Sequence, residues 1–135
     1  MSSGAAILLG VNPIAPLASI SIDCPDPDDL ARFYCELLGL EEAFATPDRG
    51  VVCLSGAGPL ISLMRARDYV APDWPDGPQR QQIHFDLAAE DLAADVARAI
   101  AIGAREAAFQ PAPDRWRVML DPAGHPFCLS TDRPD

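Results

Sequence analysis

The sequence predicts an α+β fold made of two tandem β-α-β-β-β modules that pack together around a shared cleft. Three observations carry this reading. Residues 82–87, Gln-Ile-His-Phe-Asp-Leu, alternate polar and apolar, as a strand with one face in a core does. Residues 17–24 repeat the pattern, with Ala18, Ile20, Ile22 and Cys24 apolar and Ser19, Ser21 and Asp23 polar. Both stretches run into an acidic helix start, and both helices stop at a glycine, Gly39 and Gly103. A slide of 65 positions sets Ser19 on His84, Ile20 on Phe85, Ser21 on Asp86 and Ile22 on Leu87, an internal repeat of strand then helix.

The elements follow in order. After the first strand, Asp26 suits an N-cap and Pro27 the first helical position, with Asp28 and Asp29 in the first turn. Leu30, Phe33, Tyr34, Leu37 and Leu38 then recur at the spacing of an amphipathic helix. Strands are expected at 41–46, 51–55 and 60–65, separated by Asp48-Arg49-Gly50 and by Gly56-Ala57-Gly58-Pro59. Module one is thus about 17–66. Residues 67–79 contain Pro72, Pro75, Gly77 and Pro78, which exclude regular structure, so they read as a linker. Tyr69 and Trp74 within it read as packing anchors or as part of a ligand lid.

Module two, about 80–131, repeats the order. A strand at 80–87 leads to a helix at 91–102 that starts at Asp91 and buries Leu92, Val96, Ala99 and Ile100. Strands at 104–109 and 115–120 flank a Pro-Ala-Pro-Asp turn. Asp121-Pro122-Ala123-Gly124-His125 turns into a last strand at 126–130, and the polar tail from Thr131 to Asp135 is expected to fray.

At 135 residues with 49% hydrophobic content, the chain can bury a core as one domain, residues 1–135. A formal charge of −10 works against nucleic acid and anionic membrane as partners. Cys24, Cys35, Cys53 and Cys128 form no Cys-x-x-Cys pair and sit in apolar patterns, which reads as buried free thiols in a reducing cytoplasm. The N-terminal run Ala5 to Leu9 is too short to span a membrane and reads as a loose arm that adds a strand or covers a partner.

Two β-α-β-β-β modules, Phe33-Tyr34 followed by Leu37-Leu38-Gly39, and Asp-Pro-Ala-Gly-His-Pro-Phe-Cys-Leu at 121–129 together resemble the vicinal oxygen chelate superfamily. That group includes glyoxalase I, extradiol dioxygenases, and bleomycin- and fosfomycin-resistance proteins. Ile-Asp-Cys-Pro-Asp-Pro at 22–27, Trp74-Pro75 and Gln-Ile-His-Phe-Asp at 82–86 resemble its small bacterial glyoxalase-like domain proteins. The resemblance, over about 17–130, implies a cupped mixed sheet from each module and a homodimer. Since one fold hosts many chemistries, it does not by itself fix the activity.

Metal-dependent relatives place ligands on the first and last strand of each module, which the resemblance carries to Ser19, Met64, His84 and Cys128. Of these, only His84 is a usual ligand there. A hard cation such as Mg²⁺ or Mn²⁺ wants carboxylate oxygens, and Zn²⁺ with His84 and Cys128 would find a poor completion in a hydroxyl and a thioether. Asp86, Asp23 or Asp68 could stand in, but the spacing does not demand it. The inherited metal site is therefore read as lost, with no cofactor and a divalent metal as the less favoured alternative.

His84 is the leading candidate for chemistry, as general acid or base or as a hydrogen-bond donor, with Asp86 on the same face to orient it. Against this stands a histidine left from a metal-binding ancestor. Cys128 as nucleophile needs an adjacent base, so an inert thiol is the plainer reading, and Met64 reads as pocket lining. His125 looks structural in its Gly-His-Pro turn. Arg65, Arg115 and Arg117 lie on or beside strands that could rim the cleft, where one could pair with an anionic ligand, though a rim salt bridge is the plainer reading. Trp74-Pro75-Asp76 spells a tyrosine-phosphatase loop but lacks that chemistry's cysteine-arginine motif. Gly56-Ala57-Gly58 lacks the lysine of a phosphate loop.

Three functions compete. The first is binding of a small organic molecule without metal, at a site including Ser19, Met64, Trp74, His84 and Cys128, with Tyr69, Phe109 and Trp116 adding aromatic surface. The second is a lyase, isomerase or dioxygenase that uses His84 as metal ligand or with Asp86 in proton transfer; the reading leans away from the metal-dependent activities. The third is a non-catalytic dimerisation or regulatory module.

Overall fold

The computed structural model describes residues 14–131. The expected N-terminal arm and the last residues of the expected fraying tail lie outside that range. The order is β1 (Ser19–Cys24), α1 (Pro27–Leu38), β2 (Glu41–Ala45), β3 (Val51–Ser55), β4 (Leu60–Arg65), β5 (Phe85–Ala88), α2 (Leu92–Ala101), β6 (Arg105–Glu106), β7 (Trp116–Leu120) and β8 (Pro126–Ser130). Two four-stranded sheets result, β1-β4-β3-β2 and β5-β8-β7-β6. In each, the first strand runs parallel to the last and the other pairs are antiparallel. The expected pair of β-α-β-β-β modules is therefore present, with the same strand order in both.

Helix α1 starts as its sequence dictates. Asp26 accepts from the backbone N–H of Asp28 at 3.1 Å and Asp29 at 3.4 Å, and Pro27 fills the first turn, where its missing N–H costs nothing. Gly39 ends it at φ 66°, a left-handed cap that suits glycine. Leu30, Phe33 and Tyr34 are buried against Val52, Leu54, Ile61 and Leu63 of sheet one, and Leu37 and Leu38 lie at the edge of this core. The Asp91 side chain caps α2 by accepting from Ala94 N–H at 3.1 Å. Val96 and Ala99 are buried as expected. Ile100, however, is 45% exposed, and Ile102 packs against the core instead.

One core joins the modules, and α1 makes the join. Phe33 meets Phe127 of β8 at a ring separation of 6.0 Å, and Tyr34 meets Phe85 of β5 edge-on at 6.1 Å. The Tyr34 hydroxyl donates to Asp121 Oδ2 at 2.5 Å. Asp121 is fully buried, and its other oxygen accepts from Ala123 N–H and His125 N–H, each at 2.9 Å. Burial holds its carboxyl above the usual range, opposed by these hydrogen bonds, and pushes the Tyr34 hydroxyl well up. The 121–125 turn is thus organised around one carboxylate and fastened to α1. His125 carries the fastening outward: its Nε2 lies 2.7 Å from the Asp23 carbonyl and 3.1 Å from the Tyr69 hydroxyl, which donates to the Ala123 carbonyl at 2.8 Å.

Two expected strands are shorter than the sequence pattern suggests. The strand expected at 80–87 begins at Phe85, and Ile83 is 73% exposed rather than in the core. Its partner explains this. Phe85 pairs with Phe127, so any extension meets Pro126, which has no N–H, and then the turn. The strand expected at 104–109 shrinks to Arg105–Glu106. Beyond it the Gln110 amide takes over the ladder, accepting from Val118 N–H at 2.8 Å and donating to the Val118 carbonyl at 2.8 Å. The linker forms neither helix nor strand, only an isolated bridge between Asp73 and Arg80. All four cysteines are free, with Cys24 and Cys128 buried but Cys35 and Cys53 only partly so. No helix among the described residues is long and apolar enough to cross a membrane.

Asp121→Ala leaves three donors without their acceptor and is expected to cost about 3 kcal/mol or more, whereas Tyr34→Phe costs about 1–2 kcal/mol. Urea unfolding followed by circular dichroism checks the order, and equal, small losses in both variants would contradict the role given to Asp121.

Candidate functional site

The concave face of module two follows from strand parity. On β8, Phe127 and Leu129 turn into the core, so Cys128 turns out. Its cross-strand partner on β5 is Asp86, and its partner on β7 is Val118. Trp116 stands two residues before Val118 on the same face, and His84 lies just before β5. Ala107, Val118 and Cys128 form a small apolar floor, against which Trp74 and Trp116 pack. The result is a cavity of about 800 Å³ lined by Trp74, Trp116, His84, Asp86, Cys128 and Gln81, among others. Trp74 is held on its rim by an Nε1–H bond to the Phe109 carbonyl at 3.4 Å.

The polar corner of this cup is His84, Asp86 and Cys128. His84 Nε2 lies 3.3 Å from Asp86 Oδ1, with side-chain exposures of 34% and 72%. One ligand-type atom from each of the three lies within 4.8 Å of the others. Burial first, then the Asp86 charge and hydrogen bond, push the Cys128 thiol up from 9.0 to about 11. A thiol so shifted is a poor nucleophile at neutral pH. Gln81 Oε1 is buried beside the cup and has no hydrogen-bond partner among the described residues, a missing donor that a bound molecule could supply.

Of the residues singled out from sequence, Trp74, His84, Asp86 and Cys128 meet in the cup, and Ser19 and Met64 do not. Both lie on sheet one. Ser21 pairs with Ser62 as Asp86 pairs with Cys128, so the register makes Ser62, rather than Met64, the counterpart of Cys128. In module one that corner has closed on itself. Ser19 Oγ and Ser62 Oγ lie 2.8 Å apart, and Cys53 Sγ is 3.3 Å from Ser62 Oγ. Met64, 37% exposed, lies one pleat further on. Of the other aromatics expected near the cleft, Trp116 lines the cup. Tyr69 packs on His125 instead, and Phe109 is 52% exposed and offers only its carbonyl. Arg117 pairs with Glu106 at 2.7 Å, and the Arg115 guanidinium sits 5.3 Å over the Trp116 ring. The seam between the modules holds a smaller cavity of about 390 Å³, lined by Ile20, Ile83 and Phe85 among others, and His84 borders both cavities.

The site was therefore partly missed. Gln81 carried no sequence signal beyond polarity at a strand edge, and Ser62 was one pleat away from the residue chosen. The hard-cation site that the resemblance implies does not fit these residues. Its four positions do not converge, and Asp86 is the one carboxylate at the corner.

Residues 19–130 match the model of a family described as Glyoxalase-like domain. Among solved structures, the fosfomycin resistance protein FosX from Listeria monocytogenes matches at a TM-score of 0.67 and 19% identity, over 90% of this chain and 94% of that one. A glyoxalase/bleomycin resistance protein/dioxygenase family enzyme from Burkholderia phytofirmans PsJN matches at 0.61 and 20%, over 85% and 97%. Lactoylglutathione lyase from Agrobacterium tumefaciens matches at 0.58 and 19%, over 88% and 95%. At such identities the likeness shows a shared fold. No curated protein matches the sequence.

Alkylation by iodoacetamide, read peptide by peptide, should find Cys128 slower at pH 8 than an ordinary thiol by about one to two orders of magnitude, because burial pushes the thiol up to about 11. Asp86→Asn removes a group that opposes the thiolate, so the midpoint should fall while burial keeps it above 9.0. An unshifted midpoint in that variant would separate Asp86 from Cys128.

Proposed function

The chain belongs to the glyoxalase-like domain family of the vicinal oxygen chelate superfamily, and on that footing we propose that it binds a small organic molecule in the module-two cup without the hard divalent cation of metal-dependent relatives. The observation that carries the reading is the cavity of about 800 Å³ that has both of the chain's tryptophans in its wall. That volume falls in the range of small-molecule sites, and the lining has their usual mixture of apolar wall and few polar groups. Trp74 and Trp116 offer flat faces to a ring or an unsaturated chain. His84, Asp86 and the partnerless Gln81 carbonyl fix its polar end.

Because the only two tryptophans line the cup, intrinsic fluorescence reports occupancy directly. Screening a panel of small aromatic acids, amides and quinones should yield a saturable change in emission. Trp116→Ala should abolish binding of a found compound, and His84→Ala should weaken it about tenfold, the value of one lost hydrogen bond. Compounds that bind with equal affinity to wild type and both variants would reject the cup as the site.

A second reading uses the same pair for proton transfer on a carbonyl compound, and the His84–Asp86 contact of 3.3 Å favours it. It requires turnover of a found ligand that disappears in His84→Ala.

The protein is also proposed to act as a homodimer. The open face of sheet one exposes Phe44 (59%), Leu60 (36%) and Met64 (37%), large apolar groups that a second copy would cover. Sedimentation velocity should show a dimer that Phe44→Asp converts to monomer. A wild-type monomer at micromolar concentration would contradict this.

A further inference from the structure

We propose that the cavity enclosed by the linker, between Arg67 and Arg80, binds a small zwitterion with an aliphatic body, of the chemical class of leucine. It is a different cavity from the module-two cup, which it meets only at Gln81, and the proposal does not depend on the reading given to the cup.

The linker makes this cavity and is pinned at both ends. It leaves β4 at Ala66, whose N–H donates to the Cys24 carbonyl at 2.9 Å, and it returns at Arg80, which bridges to Asp73. Asp73 N–H donates to the Gln79 carbonyl at 2.8 Å, and the Asp73 carboxylate accepts from Gln79 N–H at 3.0 Å. The far wall is equally fixed. The Tyr69 hydroxyl donates to the Ala123 carbonyl at 2.8 Å, and His125 Nε2 donates to the Asp23 carbonyl at 2.7 Å. The enclosed volume is about 440 Å³, within the range of small-molecule sites.

Charge decides what fits. Arg67, Arg80, Asp23 and Asp68 all line this cavity, guanidiniums and carboxylates together. Other arginines find acids: Arg32 meets Asp29, Arg49 meets Asp28 and Glu42, Arg98 meets Asp95, and Arg117 meets Glu106. The side chains of Arg67, Arg80, Asp23 and Asp68 make no ion pair or hydrogen bond with one another or with any other described residue. An anion drawn to the arginines is repelled by the aspartates and by the net charge of −10, and a cation is repelled by the arginines. A molecule carrying a carboxylate and an ammonium answers both signs with no net charge of its own. Val70 and Ile83, 62% and 73% exposed, line the same cavity and offer apolar surface to an aliphatic body. Exposed ion pairs each contribute little, so the expected affinity is near millimolar.

The test titrates L-leucine into the full chain, isotope-labelled and followed by amide chemical shifts. Leucine should give saturable shifts centred on residues 66–72 and 79–83, with a Kd of about 1 mM. Leucinamide, which lacks the carboxylate, and isocaproate, which lacks the amine, should each bind at least about tenfold more weakly. Arg67→Gln and Arg80→Gln should weaken leucine at least about fivefold without weakening leucinamide. Asp23→Asn and Asp68→Asn should weaken leucine without weakening isocaproate. This crossed pattern separates contact with each end of the ligand from a general loss of structure. All four side chains are exposed, and the amide spectrum itself shows that each variant is folded. No saturable shift up to about 20 mM leucine, shifts confined to the cup, or equal binding of leucine, leucinamide and isocaproate would overturn the site. So would leucine binding that Arg67→Gln and Asp68→Asn both leave intact. The aromatic panel that probes the cup is read separately by tryptophan fluorescence, so failure of this site and failure of the cup are told apart.

Discussion

The buried carboxylate of Asp121 is the point on which the two modules close. A carboxyl group in a core is costly to bury, and Asp121 is accommodated here because three donors converge on it: the Tyr34 hydroxyl and the N–H groups of Ala123 and His125. Those donors belong to different parts of the chain. Tyr34 lies on α1 of module one, while the other two lie in the turn that launches β8. Fixing that turn fixes where β8 begins, and β8 carries Cys128 to the floor of the cup and Phe127 into the ring contact with Phe33. It also limits β5, since a strand beginning at Pro126 can pair no further back than Phe127. His84 is thereby released from the ladder and stands at the mouth of the cup rather than inside a strand.

The repeat gives the two sheets one register and two different faces. In module one the corner beside the first strand is filled by a Ser19–Ser62 hydrogen bond with Cys53 in contact. In module two the same corner holds an imidazole, a carboxylate and a thiol over an apolar floor. Small hydroxyls satisfy one another and leave little to offer a ligand. Groups of different charge and softness do not satisfy one another fully, and they face a cavity with two indoles in its wall. The titratable groups at this corner are therefore confined to one half of a repeated frame, and the other half exposes Phe44, Leu60 and Met64 on its open face.

Much of the frame was legible because it rests on local rules. The caps at Asp26, Gly39 and Asp91, the period of α1 and the hairpin strands of module one all follow from spacing. What escaped the sequence depended on partners distant in the chain. The alternation at 82–87 implied a long strand, yet Pro126, over forty positions away, cut it short. Gln110 replaced a strand by bonding both backbone groups of Val118, a substitution that no periodicity announces. Met64 was taken as the module-one counterpart of Cys128, but the pairing register gives that place to Ser62, two residues earlier on the same face of β4. Ile102, the residue that caps α2, packs against the core, while Ile100 inside the helix faces out.

The central claim is that the working surface lies in the module-two cup. Crystals of the full chain soaked in a mixture of small aromatic acids and amides test it most directly. The account predicts density between the Trp74 and Trp116 rings, with a donor toward Gln81 Oε1 and a polar end at His84. Density confined to the open face of sheet one, or a cup closed by its own side chains, would contradict it.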